Sequence, residues 1–314
     1  MTDLALAIDL GGTNIRAGLI DPSGTIVTQA ETRTRAMDGP AIVLDQIAEI
    51  ATQVLQGTEV KGIGMCSPGP IDTLKGQTFF IQTLAGFEGF PLRQALSDRL
   101  DLPVQVENDG ISGAVAELCF GAGRDLQDFV YATISTGIGG GIVVNGRPLR
   151  GRRGMAGHIG HMAFHRDWPR HKGGKLPAFE DYGAGPALTA RAMALAAKTP
   201  TSTLHSEILD ARAVYRAAAQ GDHLAQRLVH DEAELLGMGF ASLAHILSPQ
   251  AIILGGGMAQ AWDQLQPTLQ ASLDAHLKPG FEGIPILRAE LGTTSSLIGA
   301  AALIFRPELA SSHP

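Results

Sequence analysis

Apolar positions along this chain follow two periods. Residues 4–10 (Leu4-Ala5-Leu6-Ala7-Ile8-Asp9-Leu10) form a short apolar run that reads as a buried strand, Gly11-Gly12-Thr13 as a tight turn, and residues 15–20 as its hairpin partner. The plan returns over residues 128–145. There 129–135 read as the strand, 136–141 as the turn and 142–144 as the return strand, with a second turn at Asn145-Gly146. A strand, Gly/Thr turn, strand unit repeated about 120 residues on suggests two lobes of similar ancestry, one starting at each hairpin. Elsewhere the spacing turns helical: Ile42, Val43, Ile47, Ile50 and Val54 share a face over 41–56, and Ile111, Val115 and Leu118 share one over 109–120. Residues 222–247 read as a long helix stopped by Ser248-Pro249, after which a strand at 251–254 runs into Gly255-Gly256-Gly257. Residues 296–305 are apolar enough for a buried helix crossing back to the first lobe. The expected division is an N-terminal α/β lobe over 1–120, completed by a helix near 296–306, and a larger C-terminal α/β lobe over 121–295. The least regular stretch, 162–179, is rich in His, Arg, Lys, Gly and Pro and reads as a loop near a site.

Composition narrows the function classes. A length of 314 residues exceeds the usual single core, which agrees with two lobes. Hydrophobic residues at 45% against 18% charged place the chain among soluble globular proteins. A net charge of −7 argues against a nucleic-acid partner, whose binding rests on phosphate neutralisation by Lys and Arg. Cys66 and Cys119 are too few for a disulfide framework or a thiolate-built zinc site, which fits a reducing cytoplasm. No apolar run approaches the ~18 residues of a membrane span, so no membrane partner is expected.

The 39 glycines gather at 11–12, 137–141 and 255–257, and such clusters let a backbone approach a ligand closely. Asp9-Leu10-Gly11-Gly12-Thr13-Asn14 puts a strand-end carboxylate before glycines, so N–H groups can reach phosphate oxygens while the acid approaches their Mg²⁺. An ordinary hairpin turn is the plain alternative. Ser135-Thr136-Gly137-Ile138-Gly139-Gly140-Gly141 has the same logic with a Thr hydroxyl. No G-x-x-x-x-G-K-[ST] run occurs, and neither glycine cluster has the G-x-G-x-x-G spacing leading into a helix, which excludes a P-loop and makes a dinucleotide site a poor fit. Gly255-Gly256-Gly257 follows a strand and precedes a helical segment, so it reads either as a nucleoside contact or as a plain strand-to-helix turn. Glu107-Asn108-Asp109 ends the strand 104–106 and enters a helix. That geometry exposes Asp109 at the carboxyl edge of a sheet as a proton acceptor, or makes it a helix cap. In Gly157-His158-Ile159-Gly160-His161 the two histidines lack the helical context of a zinc motif, and metal ligation, sugar contacts and surface exposure all stay open. Arg147, Arg150, Arg152, Arg153, Arg166, Arg170, Lys172 and Lys175 form the one basic concentration, read as a solvated rim or an anion site.

Together with Ser67-Pro68-Gly69-Pro70 and the block from Phe179 to Pro186, these pieces in their order resemble the ROK family of sugar kinases and sugar-responsive repressors, nearly end to end. The resemblance implies a two-lobed ribonuclease H-like (actin-like ATPase) α/β fold with sugar and ATP in the cleft between lobes. It implies Asp109 as catalytic base and Asn108, His161, Glu180 and Gly69 on the sugar, with His158 where the family often has a Glu near C1 and C2. Asp9, Gly11, Gly12, Thr13, Thr136 and Gly137 would surround the ATP phosphates and Mg²⁺, with Asp9 reaching the ion directly or through water, and Gly256 would lie near the nucleoside. The family commonly holds zinc with the equivalent of His161 and three cysteines. Those cysteines would fall at His171, Gly173 and Ala178, so no structural zinc is expected unless His165 and His171 replace them. The block around His158 resembles that of some N-acetylmannosamine kinases. The expectation is therefore a kinase for a 2-acetamido sugar, N-acetylmannosamine or N-acetylglucosamine, with glucokinase as the alternative and a homodimer as the assembly. A family repressor is a rival, disfavoured by a phosphate hairpin that begins at residue 4. A non-catalytic sugar sensor is another, disfavoured by the presence of both Asp9 and Asp109.

Overall fold

In chain order the first half of the fold is β1 (Ala5–Leu10), β2 (Asn14–Ile20), β3 (Ile26–Arg33), α1 (Pro40–Leu55), β4 (Ile63–Ser67), β5 (Ile71–Asp72), β6 (Gln77–Thr78), α2 (Leu92–Leu100), β7 (Val104–Asn108) and α3 (Asp109–Phe120). Next come β8 (Phe129–Ile134), β9 (Ile138–Val144), β10 (Arg147–Pro148), α4 (Glu180–Gly183), α5 (Gly185–Ala196), α6 (Ala211–Ala219) and α7 (His223–Leu247). The chain closes with β11 (Ala251–Gly255), α8 (Trp262–His276), β12 (Ile286–Arg288), α9 (Ser295–Phe305) and α10 (Pro307–Ala310). The structure is a computed structural model and describes residues 3–164, 177–205 and 210–310. Two compact units emerge, one from residues 1–127, 140–157 and 290–314, the other from 128–139 and 158–289.

The first unit is built on a sheet of order β3-β2-β1-β4-β7, antiparallel through the β1-β2-β3 meander and parallel from β1 to β4 to β7. Its inner strands are apolar on both faces because both faces are covered: Leu6, Ile8 and Leu10 point into a cluster with Val43, Ile47 and Ile50 of α1, while Ala5 and Ala7 face Leu297 and Ala301 of α9. Small residues on that second face are required. A Cβ on Gly64 of β4 would collide with the carbonyl of Ala300, and one on Gly299 with the carbonyl of Ser112 in α3, so α9 lies backbone to backbone against both. Leu297 and Leu303 are fully buried, and at about 1.5–3 kcal/mol each their burial outweighs the glycine penalty in the helix, which is near 1 kcal/mol.

The second sheet has the order β10-β9-β8-β11-β12, with β8, β11 and β12 parallel. In the second unit its β8 and β11 residues Val130, Ala132, Ile134, Ile252 and Leu254 join one core with Leu228, Leu236 and Phe240 of α7. As the spacing predicts, α7 is the long helix; Asp222 caps it by accepting the Ala225 N–H at 3.0 Å, and Ser248 leaves it in a left-handed conformation.

One expected turn is shorter than the sequence suggested. Residues 136–141 do not form a single glycine turn: the turn is Ser135 to Gly137, and Gly139, Gly140 and Gly141 lie inside β9. The physical reason lies in the first unit. A Cβ at Gly141 would come within 2.5 Å of the Ala114 side chain and 2.7 Å of the Gly110 carbonyl, and Gly110 itself lies against the Gly140 backbone, so Gly140 and Gly141 make room for the start of α3 rather than for a bend.

Candidate active site

In the first unit three parallel strands end side by side. Asp9 of β1 is in register with Cys66 of β4, and Cys66 and Ser67 with Glu107 and Asn108 of β7. One carboxyl edge therefore carries Asp9, the loop through Gly69 and the Asn108-Asp109 corner, the place where sheets of this kind receive ligands. Gly69 enters a cis peptide bond to Pro70. In the β1–β2 turn the Gly11 N–H donates to the Asn14 carbonyl (2.9 Å), and the Thr34 hydroxyl donates to the Gly11 carbonyl (2.7 Å). Gly12 packs against Thr83 so closely that a Cβ would lie 2.6 Å from that side chain.

The Asp9 carboxylate is partly buried. One oxygen accepts the Cys66 thiol (3.3 Å) and the other lies 3.8 Å from the Arg16 guanidinium. Burial raises its pKa, and the thiol and Arg16 pull the other way. Asp109 is the first residue of α3. The cap and the candidate base turn out to be neighbours: Asn108 is the N-cap, its side chain accepting the Gly110 N–H at 3.0 Å, and Asp109 Oδ1 accepts the same N–H at 2.7 Å. Burial pushes the Asp109 carboxyl up to about 6 with help from the charge on Asp9, against the lowering effect of the Gly110 N–H and the Asn108 amide. The Cys66 thiol is raised in turn by burial and by both carboxylates. The charge on Asp9 is felt at Asp109 across β4, and two acids on one strand edge favour a cation, so the residues fit the Mg²⁺ that accompanies ATP.

In the second unit the short turn after β8 is anchored by the Ser135 N–H to the Gly137 carbonyl (2.9 Å) and by the Gly185 N–H to the Ser135 carbonyl (2.8 Å). The structure brings Gly137, His158, His161 and Glu180 together. His161 Nε2 lies 3.4 Å from one Glu180 oxygen, while the other accepts the Ile138 N–H (3.3 Å) and would be 3.0 Å from a Cβ on Gly137. The two histidine rings meet edge to face at 5.5 Å. Burial and the neighbouring His161 depress the His158 pKa. His158 Nε2 is buried without a hydrogen-bond partner among the described residues.

A cavity of about 480 Å³ opens in the same unit. Ser135, Thr136, Asp210, Tyr215, Gly257 and Met258 line it, and the buried Tyr215 hydroxyl has no partner among the described residues. Its size and largely apolar wall fit a nucleoside. Gly256 does not line it. Instead Gly256 makes the turn, with φ at +84° and no room for a Cβ within 2.5 Å of the Ile134 carbonyl, and Gly257 forms the wall. Tyr215 and Asp210 carried no sequence signal, since neither stands in a glycine cluster. Arg150 is buried on Glu107, which removes it from the solvated rim; Arg152 and Arg153 are exposed. His165, Arg166, Arg170, His171, Lys172, Gly173 and Lys175 lie outside the described residues. Among those that are described, no group of three or more His, Cys, Asp or Glu is placed to hold a metal ion, and no helix is long and apolar enough to cross a membrane.

With this geometry in hand, comparison with known proteins is decisive on kinship: the family described as "ROK family" matches residues 5–306. The chain belongs to the ROK family. Among ROK relatives, the glucokinase of Halalkalibacterium halodurans is 31% identical over 96% of this chain and 95% of its own length. The N-acetylmannosamine kinase of Escherichia fergusonii is also 31% identical, over 95% of this chain and 97% of its own. The crystal structure of a ROK family glucokinase from Streptomyces griseus in complex with glucose and AMPPNP superimposes with a TM-score of 0.85 at 29% identity, covering 96% of this chain and 98% of that one. The ROK fold is the actin-like α/β class expected from the sequence.

Proposed function

We propose that the protein is an ATP-dependent sugar kinase that phosphorylates the 6-hydroxyl of a hexose or N-acetylhexosamine, with Asp109 as general base. One observation carries the reading: Asp109 stands at the carboxyl edge of three parallel strands, the ligand edge of such sheets, and there burial and the charge on Asp9 push its carboxyl up to about 6. A base poised that close to the working pH is ionised at pH 7 and still basic enough to take a hydroxyl proton. In the step so supported, the sugar hydroxyl loses its proton to Asp109 as its oxygen attacks the γ-phosphorus of ATP, and the bond to the ADP oxygen breaks. Most of the acceleration comes from positioning and charge stabilisation, since phosphoryl transfer leaves little covalent work for a protein. Backbone N–H groups at Gly11, Gly12, Thr13 and Gly137, with the Thr136 hydroxyl, are assigned to the phosphates, and the cavity beside Gly257 to the nucleoside. Asn108, Gly69, His158, His161 and Glu180 are assigned to the sugar. Mg²⁺ arriving with ATP would neutralise phosphate charge, and Asp9 is the carboxylate assigned to it.

On the substrate, equal identity to a glucokinase and an N-acetylmannosamine kinase decides nothing. His158 does more. A neutral imidazole whose buried Nε2 has no hydrogen-bond partner among the described residues offers a single hydrogen bond to an acyl group, where a carboxylate would accept from two hydroxyls. We therefore favour a 2-acetamido sugar, with glucose as the second reading. A site that must satisfy a buried polar atom discriminates strongly against sugars lacking the partner. The test is kcat/KM for N-acetylmannosamine, N-acetylglucosamine, glucose and mannose by coupled ADP release. A preference for glucose of about tenfold or more over both acetamido sugars would make this a glucokinase and His158 a tolerated variation.

A further inference from the structure

Glu107 and Arg150 make an ion pair in which each side chain is only 2% exposed. Glu107 ends β7 one residue before the cap and two before the base. One of its oxygens accepts the backbone N–H of Asn108 at 3.0 Å; the other receives Arg150 Nε at 2.9 Å and stands 2.7 Å from Arg150 Nη2. Burial raises the Glu107 pKa, and Arg150, the Asn108 N–H and Arg93 oppose that rise; removing the arginine would leave a buried carboxylate without its ion-pair partner. The loop that carries the arginine is also pinned through its backbone. The Leu149 N–H donates to the Ile142 carbonyl (2.7 Å), and the Ala156 N–H to the Arg150 carbonyl (3.0 Å). Three residues in the left-handed region, Gly151, Gly154 packed on Thr73 and Gly157 packed on the Gly140 carbonyl, then bring the chain to His158.

A buried ion pair is poor evidence for stability as such, because an apolar pair of similar volume usually stabilises a fold as well or better. What a planar guanidinium held by a carboxylate supplies is orientation, and Lys does not reproduce it. Here both members touch backbone near the site: Glu107 accepts the N–H of Asn108 at the Asn108-Asp109 corner, and the Arg150 carbonyl accepts the Ala156 N–H in the loop that leads to His158.

We propose that Arg150 is a positioning residue for phosphoryl transfer, acting through Glu107 on the Asn108-Asp109 corner and through its own loop on the approach to His158. The proposal rests on the kinase reading above. It needs no contact between Arg150 and either substrate, which separates it from the anion-site reading of the basic segment.

The experiment uses the full chain with three changes: Arg150→Lys, Arg150→Met and the double variant Glu107→Leu with Arg150→Met. It measures kcat, KM for sugar, KM for ATP and the thermal midpoint of each. Misplacing reacting groups by about 1 Å costs on the order of 10²-fold. The expected result is a fall in kcat of about 10- to 100-fold in all three, with KM for ATP changed less than about twofold. The double variant should regain the thermal midpoint lost by Arg150→Met without regaining kcat. That split between recovered stability and unrecovered turnover is what a purely structural pair would not give. Recovery of kcat to within about threefold of the parent in the double variant overturns the proposal, and so does Arg150→Lys with parental kcat. A parent protein that phosphorylates none of the four sugars removes the kinase reading itself, and this proposal with it; an active parent with unaffected variants removes only the proposal.

Discussion

The most informative perturbation is Asp109→Asn, because the same carboxylate should limit turnover and strain the fold. Its pKa stands near 6 against 3.8 for an ordinary aspartate, with burial as the main cause. At 1.36 kcal/mol per tenfold change, that gap corresponds to about 3 kcal/mol of folding free energy opposed by the ionised group at neutral pH. The sign follows from the raised value. The native state binds the proton more tightly than the unfolded chain, so the cost is complete above about pH 6, shrinks as the pH falls and is gone below 3.8. Partial exposure of the side chain reduces the figure, and roughly 1–3 kcal/mol is the expected gain for the amide at pH 7.5. For a unit of this size each kcal/mol moves the thermal midpoint by about 2–4 °C, so the variant should melt several degrees higher at pH 7.5 and no higher at pH 3.5. Turnover should fall by ~10²–10⁴-fold with sugar affinity nearly unchanged, because the amide keeps the shape and loses the proton acceptor. In the parent, kcat should decline about tenfold per pH step below roughly 6. Melting curves across pH together with saturated turnover decide the matter. A variant that keeps more than about a tenth of the parental kcat, or one that melts no higher at pH 7.5, would refute the assignment of Asp109 as a buried, poised base.

Further outcomes follow from the same coordinates. Purified protein should contain well under about 0.1 zinc per chain by elemental analysis, because a structural zinc needs four close ligands and His161 is already engaged with Glu180. About one zinc per chain, with activity lost to a chelator in excess Mg²⁺, would show that His165 and His171 rebuild a site. Gly256→Ala places a Cβ within 2.5 Å of the Ile134 carbonyl at a φ of +84°, so it should raise KM for ATP by about tenfold or more while leaving KM for sugar within about twofold. Unchanged nucleotide kinetics in that variant would detach the turn from the nucleoside cavity.

How much of this was legible in the sequence depends on whether the signal was local. The β1–β2 hairpin, α1, α3, α7 and α9 could be read because one apolar face repeats within each segment and a cap or breaker marks the end, as Asp222 and Ser248 do for α7. The glycines at 139–141 misled because glycine has two uses: it permits a bend, and it permits another backbone to come close. Only the position of α3 shows that the second applies. Pairing over long separations was invisible. Arg150 reads as one member of a basic segment, and neither Cys66 nor Tyr215 carries a signal of its role, yet each acquires its place from a partner or cavity far along the chain. Asp9, the Gly11-Gly12-Thr13 turn, Thr136-Gly137 and Asp109 stood out as glycine- and carboxylate-rich strand ends, a local pattern, whereas Gly69, His161 and Glu180 came only with the family resemblance and the shell around them gave no signal.

The stitching of α9 into the first unit also has a consequence during synthesis. The strands that begin at residue 5 cannot bury the face formed by Ala5, Ala7 and Gly64 until residues 295–305 have left the ribosome. At 5–20 residues per second, the roughly 180 residues translated after residue 127 keep that surface waiting on the order of 10–40 s. Throughout that interval the first sheet keeps on this face only the cover that Ala116 and Phe120 of α3 give it. The speed of elongation over the second half of the message therefore sets how long the rest of that apolar surface stays open.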